Sequence, residues 1–63
     1  METTLIDTAG YKLVRNDRKL IETVNGDTRE VTLSELRDRP PSNDLAVAER
    51  LPIIITQLDA EDF

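Results

Sequence analysis

Any chemistry performed by this chain would have to run on carboxylates. His, Cys and Trp are absent from its 63 residues, so the usual general base, the thiolate nucleophile and the commonest metal ligands are missing together. The lysines are Lys12 and Lys19, and the densest acidic group is Asp59, Glu61 and Asp62. Three neighbouring carboxylates could share a proton or hold a hard cation. Nothing beside them in the sequence would raise a pKa or position a nucleophile, and the spacing and glycine of an EF-hand loop are missing. The expectation is a protein that is not an enzyme and holds no cofactor or metal, with residues 59–63 as a solvated acidic tail.

The remaining candidates are side chains for binding another protein. Arg37-Asp38-Arg39-Pro40-Pro41 reads either as a helix end with cations near its C-terminus or as a rigid contact surface presenting Arg37 and Arg39. Ile53-Ile54-Ile55-Thr56 is β-branched throughout, which favours a short strand apolar on both faces. Such a strand is either covered by helices or left as an edge, presenting Ile53 and Ile55 to a partner. Phe63, the one phenylalanine, either docks back into the core or projects with Asp59, Glu61 and Asp62 as a short motif.

Charge narrows the class of partner. The chain holds 8 basic and 13 acidic residues, for a net charge of −5. Residues 44–63 carry Arg50 against Asp44, Glu49, Asp59, Glu61 and Asp62, so the excess acidity is C-terminal. A phosphate backbone calls for a basic stripe, so direct nucleic-acid binding is not expected and a basic protein surface is the complementary partner. Self-association stays open. No run approaches the roughly 20 apolar residues of a membrane span, and the first residues lack the basic start of a signal peptide. A cytoplasmic protein with no membrane partner is the expectation.

The elements that must position these groups are organised around Lys19 to Leu33. Asn25-Gly26 suits the two positive-φ positions of a type I′ turn, so the stretch reads as a β-hairpin. A two-residue loop sets Glu22 against Arg29 and Leu20 against Val31, whereas a three-residue loop would oppose Glu22 and Glu30. Pairing Tyr11–Arg15 with Lys19–Thr23 across an Asn16-Asp17 turn lines up Leu13, Leu20 and Val31 in one row. Tyr11, Glu22 and Arg29 form the next, and Arg15 opposite Arg18 is the weak point. Residues 1–10 read as an N-terminal arm or a short edge strand.

Thr32-Leu33-Ser34-Glu35 fits a capping box, opening a helix of one or two turns that Pro40 and Pro41 must stop. Ser42, Asn43 and Asp44 are N-cap candidates for a second helix through Leu51, which Pro52 ends or passes to the next element. The fold class is therefore α+β, a single small domain. Its parts are an antiparallel three-stranded meander over about 11–33 and short helices against it, with a C-terminal strand at Ile53 to Ile55 favoured over a further helix turn, two readings that periodicity alone does not separate. At 63 residues the core must be small, since roughly 60% of the unfolded surface is buried at this size.

Ile21 to Asp27, Val31-Thr32-Leu33, Leu36 to Pro40, Asp44-Leu45 and Ala48-Glu49 together resemble the small tail-assembly chaperones of contractile-tailed and related bacteriophages. In those proteins a glycine-turn hairpin leads into a Leu-Arg-acid-x-Pro stretch, then Asp-Leu and Ala-Glu. An ending comparable to Leu58 to Phe63 follows. The chain departs from that pattern in carrying Ser34-Glu35 before Leu36 and in lacking most of the helical stretch ahead of the acidic ending. The resemblance implies a non-enzymatic phage-type assembly factor with a protein partner. The alternative, from the acidity, is a phage-type inhibitor that fills the basic nucleic-acid groove of a host enzyme or defence complex.

Overall fold

The computed structural model describes residues 1–39 and 42–63. Four antiparallel strands, β1 (Glu2–Thr8), β2 (Tyr11–Asn16), β3 (Lys19–Val24) and β4 (Asp27–Val31), form an open sheet in sequence order. Two helices follow, α1 (Leu33–Asp38) and α2 (Leu45–Ala60). The architecture is α+β. Residues 1–10 contribute an edge strand instead of an arm, so the meander has four strands where three were expected.

The second hairpin has the expected register, with Glu22 opposite Arg29 and Leu20 opposite Val31. Asn25 and Gly26 take φ of 51° and 89°, as a type I′ turn requires. The first hairpin corrects the expectation by two residues. Asn16 pairs with Lys19 and Arg15 with Leu20, leaving Asp17-Arg18 as the loop, with Asp17 at φ 55°. This register removes the Arg15–Arg18 opposition, and because strand side chains alternate with period two it leaves every side chain on its expected face. Leu13 now stands opposite Glu22, and Tyr11 opposite Val24.

A bulge between Thr4 and Ile6 breaks the alternation of β1. Consecutive Leu5 and Ile6 therefore both reach the core, Ile6 fully buried and Leu5 partly. That core lies between one sheet face and the helices: Ile6, Leu13, Leu20 and Val31 below, Leu36, Val47, Ile54 and Leu58 above. Val14 and Ile21 stand opposite each other on the other face, outside this cluster.

Thr32 caps α1, its hydroxyl accepting from the Glu35 N–H at 3.2 Å. The expectation that Pro40 and Pro41 stop this helix and stiffen a contact surface falls on residues outside those described. Asp44 caps α2, accepting from the Ala46 N–H at 3.0 Å. From there α2 overturns two expectations. It passes through Pro52 instead of ending, and Ile53, Ile54 and Ile55 form helical turns, not a strand. Helical periodicity explains why. Val47, Ile54 and Leu58 share one buried face, and burying each such side chain contributes about 1.5–3 kcal/mol. Together they outweigh the roughly 3 kcal/mol that an interior proline costs a helix. A strand at 53–55 would have lost this alignment. Asp59 and Ala60 also belong to α2, so the acidic tail begins in the last turn of the helix and leaves it at Glu61. No helix among the described residues is long and apolar enough to cross a membrane.

Candidate functional site

Strand alternation puts Glu22 on the same face as Leu20, beneath the helices. Its side chain is 1% exposed. A carboxylate so placed must be hydrogen-bonded to remain charged; two neighbours supply the donors and a third adds an ion pair. The Tyr11 hydroxyl donates to Glu22 Oε2 at 2.6 Å. The Arg39 guanidinium, arriving from the end of α1, donates to the same oxygen. Arg29, opposite on β4, stands 3.7 Å from Oε1 and 3.9 Å from Glu35.

These contacts determine the titration of the cluster. Burial alone would push the Glu22 carboxyl up, but hydrogen bonds from Arg39 and Tyr11 and the charges of Arg39 and Arg29 outweigh it and hold the group below its ordinary value. Burial, reinforced by the bond to ionised Glu22, pushes the Tyr11 phenol well above its usual range. The hydrogen bond to Glu22 raises Arg39, against a smaller effect of burial. At neutral pH Glu22 is therefore ionised, Arg39 charged and Tyr11 neutral, and among the described residues no buried side-chain polar atom lacks a partner.

Beside this cluster lies a groove of about 510 Å³ between the sheet end and the helices. Tyr11 and Val24 come from neighbouring strands, Leu36 from α1, and Val47, Leu51 and Ile55 from α2. Ala48, Pro52 and Ser42 complete the wall on the α2 side, while Arg37 and Arg39 flank the α1 side. Ala48, Pro52 and Ile55 follow one another along one flank of α2 at helical spacing, and Leu45, 77% exposed, begins the same stripe. Pro52 contributes its apolar ring to this wall, at the cost of a backbone donor inside the helix.

The residues singled out from sequence divide among three places. Arg37, Arg39 and Ile55 meet at the groove. Asp59 adjoins them through an ion pair with Arg37 at 3.1 Å. Glu61 and Phe63 gather instead around Arg15, which pairs with Glu61 at 3.2 Å and lies 5.1 Å from the centre of the Phe63 ring. Phe63 is half-buried against the core, so of its two expected placements it takes the docked one. Asp62 is exposed at φ 60°. Ile53 is 59% exposed and does not line the groove.

Tyr11, Val24, Leu36, Val47, Ala48, Leu51 and Pro52 were not anticipated as site residues. The signal for the α2 members was an apolar stripe continuing across Pro52, hidden by treating that proline as a boundary. Glu22 was signalled by its place in a row with Tyr11 and Arg29 on the apolar face, although charge there reads first as a cross-strand pair.

No family model, no curated protein and no solved structure matches the chain.

Proposed function

We propose that the chain is a non-enzymatic protein-binding module that docks a partner through the groove between α2 and the Tyr11–Val24 end of the sheet. The observation carrying this reading is the continuity of the apolar lining. It runs from the strands through Leu36 to the flank of α2 and extends to exposed Leu45. Large apolar surface that is open in a small domain is the usual character of a protein-binding site. A role in phage virion assembly is the finer proposal, supported by the resemblance of the Ile21 to Glu49 pattern and the Leu58 to Phe63 ending to tail-assembly chaperones.

The test is affinity capture from a host lysate with the parent and with Ile55→Glu, which sets a carboxylate in the groove wall at a half-buried site of α2. Circular dichroism and thermal melting establish that the variant is folded. A partner retained by the parent and lost by folded Ile55→Glu supports docking at the groove. Equal retention by both places the binding surface elsewhere.

A further inference from the structure

We infer that the partner segment seated in this groove is apolar and carries carboxylates beside its apolar side chains. The inference rests on the docking reading above and assigns the partner's charge. The charged residues lining the groove are Arg37 and Arg39, with no acid among the lining residues described. In a chain of net charge −5 this is a local reversal of sign.

Exposure decides which charges a visitor meets. Arg37 and Arg39 are 52% and 26% exposed, whereas Glu22, the counterion of Arg39, is 1% exposed and enclosed beneath them. Glu22 and Tyr11 therefore hold the Arg39 guanidinium in place without presenting a carboxylate to the groove. Arg37 has a different role. Its partner Asp59 is 69% exposed, so exchanging Asp59 for a carboxylate of the visitor replaces one solvated ion pair by another at little net change. A basic segment would instead bring its ammonium or guanidinium groups against two arginines in a partly desolvated cleft.

Length sets the scale of the segment. The lining from Val47 to Ile55 spans about 12 Å along α2 at 1.5 Å per residue, enough for two turns of a helix or four extended residues. The expectation of a basic partner arose from the acids at residues 59–62. Two of these, Asp59 and Glu61, are engaged with Arg37 and Arg15, and the groove itself selects the opposite charge.

The experiment titrates the isotopically labelled full chain with three synthetic peptides that share one apolar helical pattern and differ in carrying Glu, Gln or Lys at every flanking position. Binding is followed by amide chemical shifts. The Glu peptide should shift Val47, Ala48, Leu51 and Ile55 and bind roughly three- to tenfold more tightly than the Lys peptide at low salt, the difference shrinking as salt is raised. Arg37→Gln, at an exposed position, should reduce that preference while leaving the rest of the spectrum in place. Equal or tighter binding of the Lys peptide, shifts confined to other surfaces, or no engagement of the groove by any peptide overturns the inference. If no peptide engages while Ile55→Glu still abolishes capture of a partner, the docking reading stands and the acidic-segment inference alone falls. If capture also survives Ile55→Glu, both fall.

Discussion

Tyr11 and Glu22 are diagonal neighbours across β2 and β3, and the tyrosine hydroxyl closes the gap to donate to Glu22 Oε2 at 2.6 Å. Diagonal positions are about 7–8 Å apart at the backbone, a span that the length of a tyrosine ring bridges. Arg39 reaches the same oxygen from the end of α1, so one buried carboxylate ties two strands to the segment between the helices. Tyr11→Phe should remove one charge-assisted bond while leaving Glu22 paired with Arg39, at a loss of about 1–2 kcal/mol. Arg39→Met should be worse, because it leaves a buried carboxylate without its main counterion. Urea unfolding of both variants checks the order; a Tyr11→Phe variant less stable than Arg39→Met would show that the hydroxyl, not the guanidinium, sustains the charge.

The same carboxylate gives the fold a direction in pH. Folding lowers the Glu22 pKa from its ordinary value of 4.5, so the native state binds this proton less readily than the unfolded chain. The stability it contributes is fully present above 4.5, and is lost as pH falls through that value toward the depressed native one. Unfolding monitored from pH 7 to pH 3 should show the loss. In Glu22→Gln, which cannot ionise, the slope below pH 4.5 should be shallower and the stability at pH 7 lower than in the parent.

Where neighbouring residues decide the structure, the sequence was legible. Asn25-Gly26 specified its turn, the Glu22–Arg29 pairing specified the hairpin register, Thr32 marked the start of α1, and the group Ser42, Asn43 and Asp44 bracketed the start of α2, where Asp44 is the cap. The misreadings involve forces that act at a distance in the chain. Pro52 and the isoleucines after it carry local signals against helix, and these are overridden because Val47, Ile54 and Leu58 bury a common face against the sheet. Leu5 and Ile6 break the alternation expected of a strand, and only pairing with β2 shows that a bulge turns both toward the core. The groove was half-visible for the same reason. Arg37, Arg39 and Ile55 stood out as residue types, whereas Tyr11 and Val24 join them only once the sheet end is folded against α2.

Gly26 is the position where backbone freedom is required, at φ 89°. An added Cβ meets nothing within 4 Å, so Gly26→Val tests conformation without a steric clash. A β-branched residue there should cost about 1 kcal/mol or more. Thermal melts that coincide with the parent would show that the turn relaxes to another type without loss.

Pro52 should be the easiest position at which to stabilise the protein. It lies within α2, where it cannot donate the bond that would otherwise close on the carbonyl four residues earlier. Its own carbonyl accepts from the Thr56 hydroxyl at 3.0 Å. Pro52→Ala restores a backbone donor, and the gain should be about 1–2 kcal/mol after allowing for the greater freedom of the unfolded chain. The variant also trims the groove wall, so a higher melting temperature combined with weaker partner binding would identify the proline as retained for the surface it presents. Unchanged or lower stability would mean that the backbone geometry Pro52 imposes is needed to seat Ile54 and Leu58.

The C-terminal residues separate two kinds of contribution. Glu61 pairs with Arg15 at 3.2 Å with side chains 56% and 30% exposed, and exposed pairs of this kind contribute about 0–1 kcal/mol. Replacing Asp59, Glu61 and Asp62 by Asn, Gln and Asn should therefore change the melting temperature little. Phe63 packs against the core and carries the Arg15 guanidinium 5.1 Å from its ring centre, combining apolar burial with a cation–π contact worth about 0.5–1 kcal/mol where partly exposed. Phe63→Ala should lower stability by about 1–2 kcal/mol, and the loss should exceed that of the triple amide variant in the same denaturant titration. The opposite order would mean that the acids anchor this segment and the ring merely accompanies them.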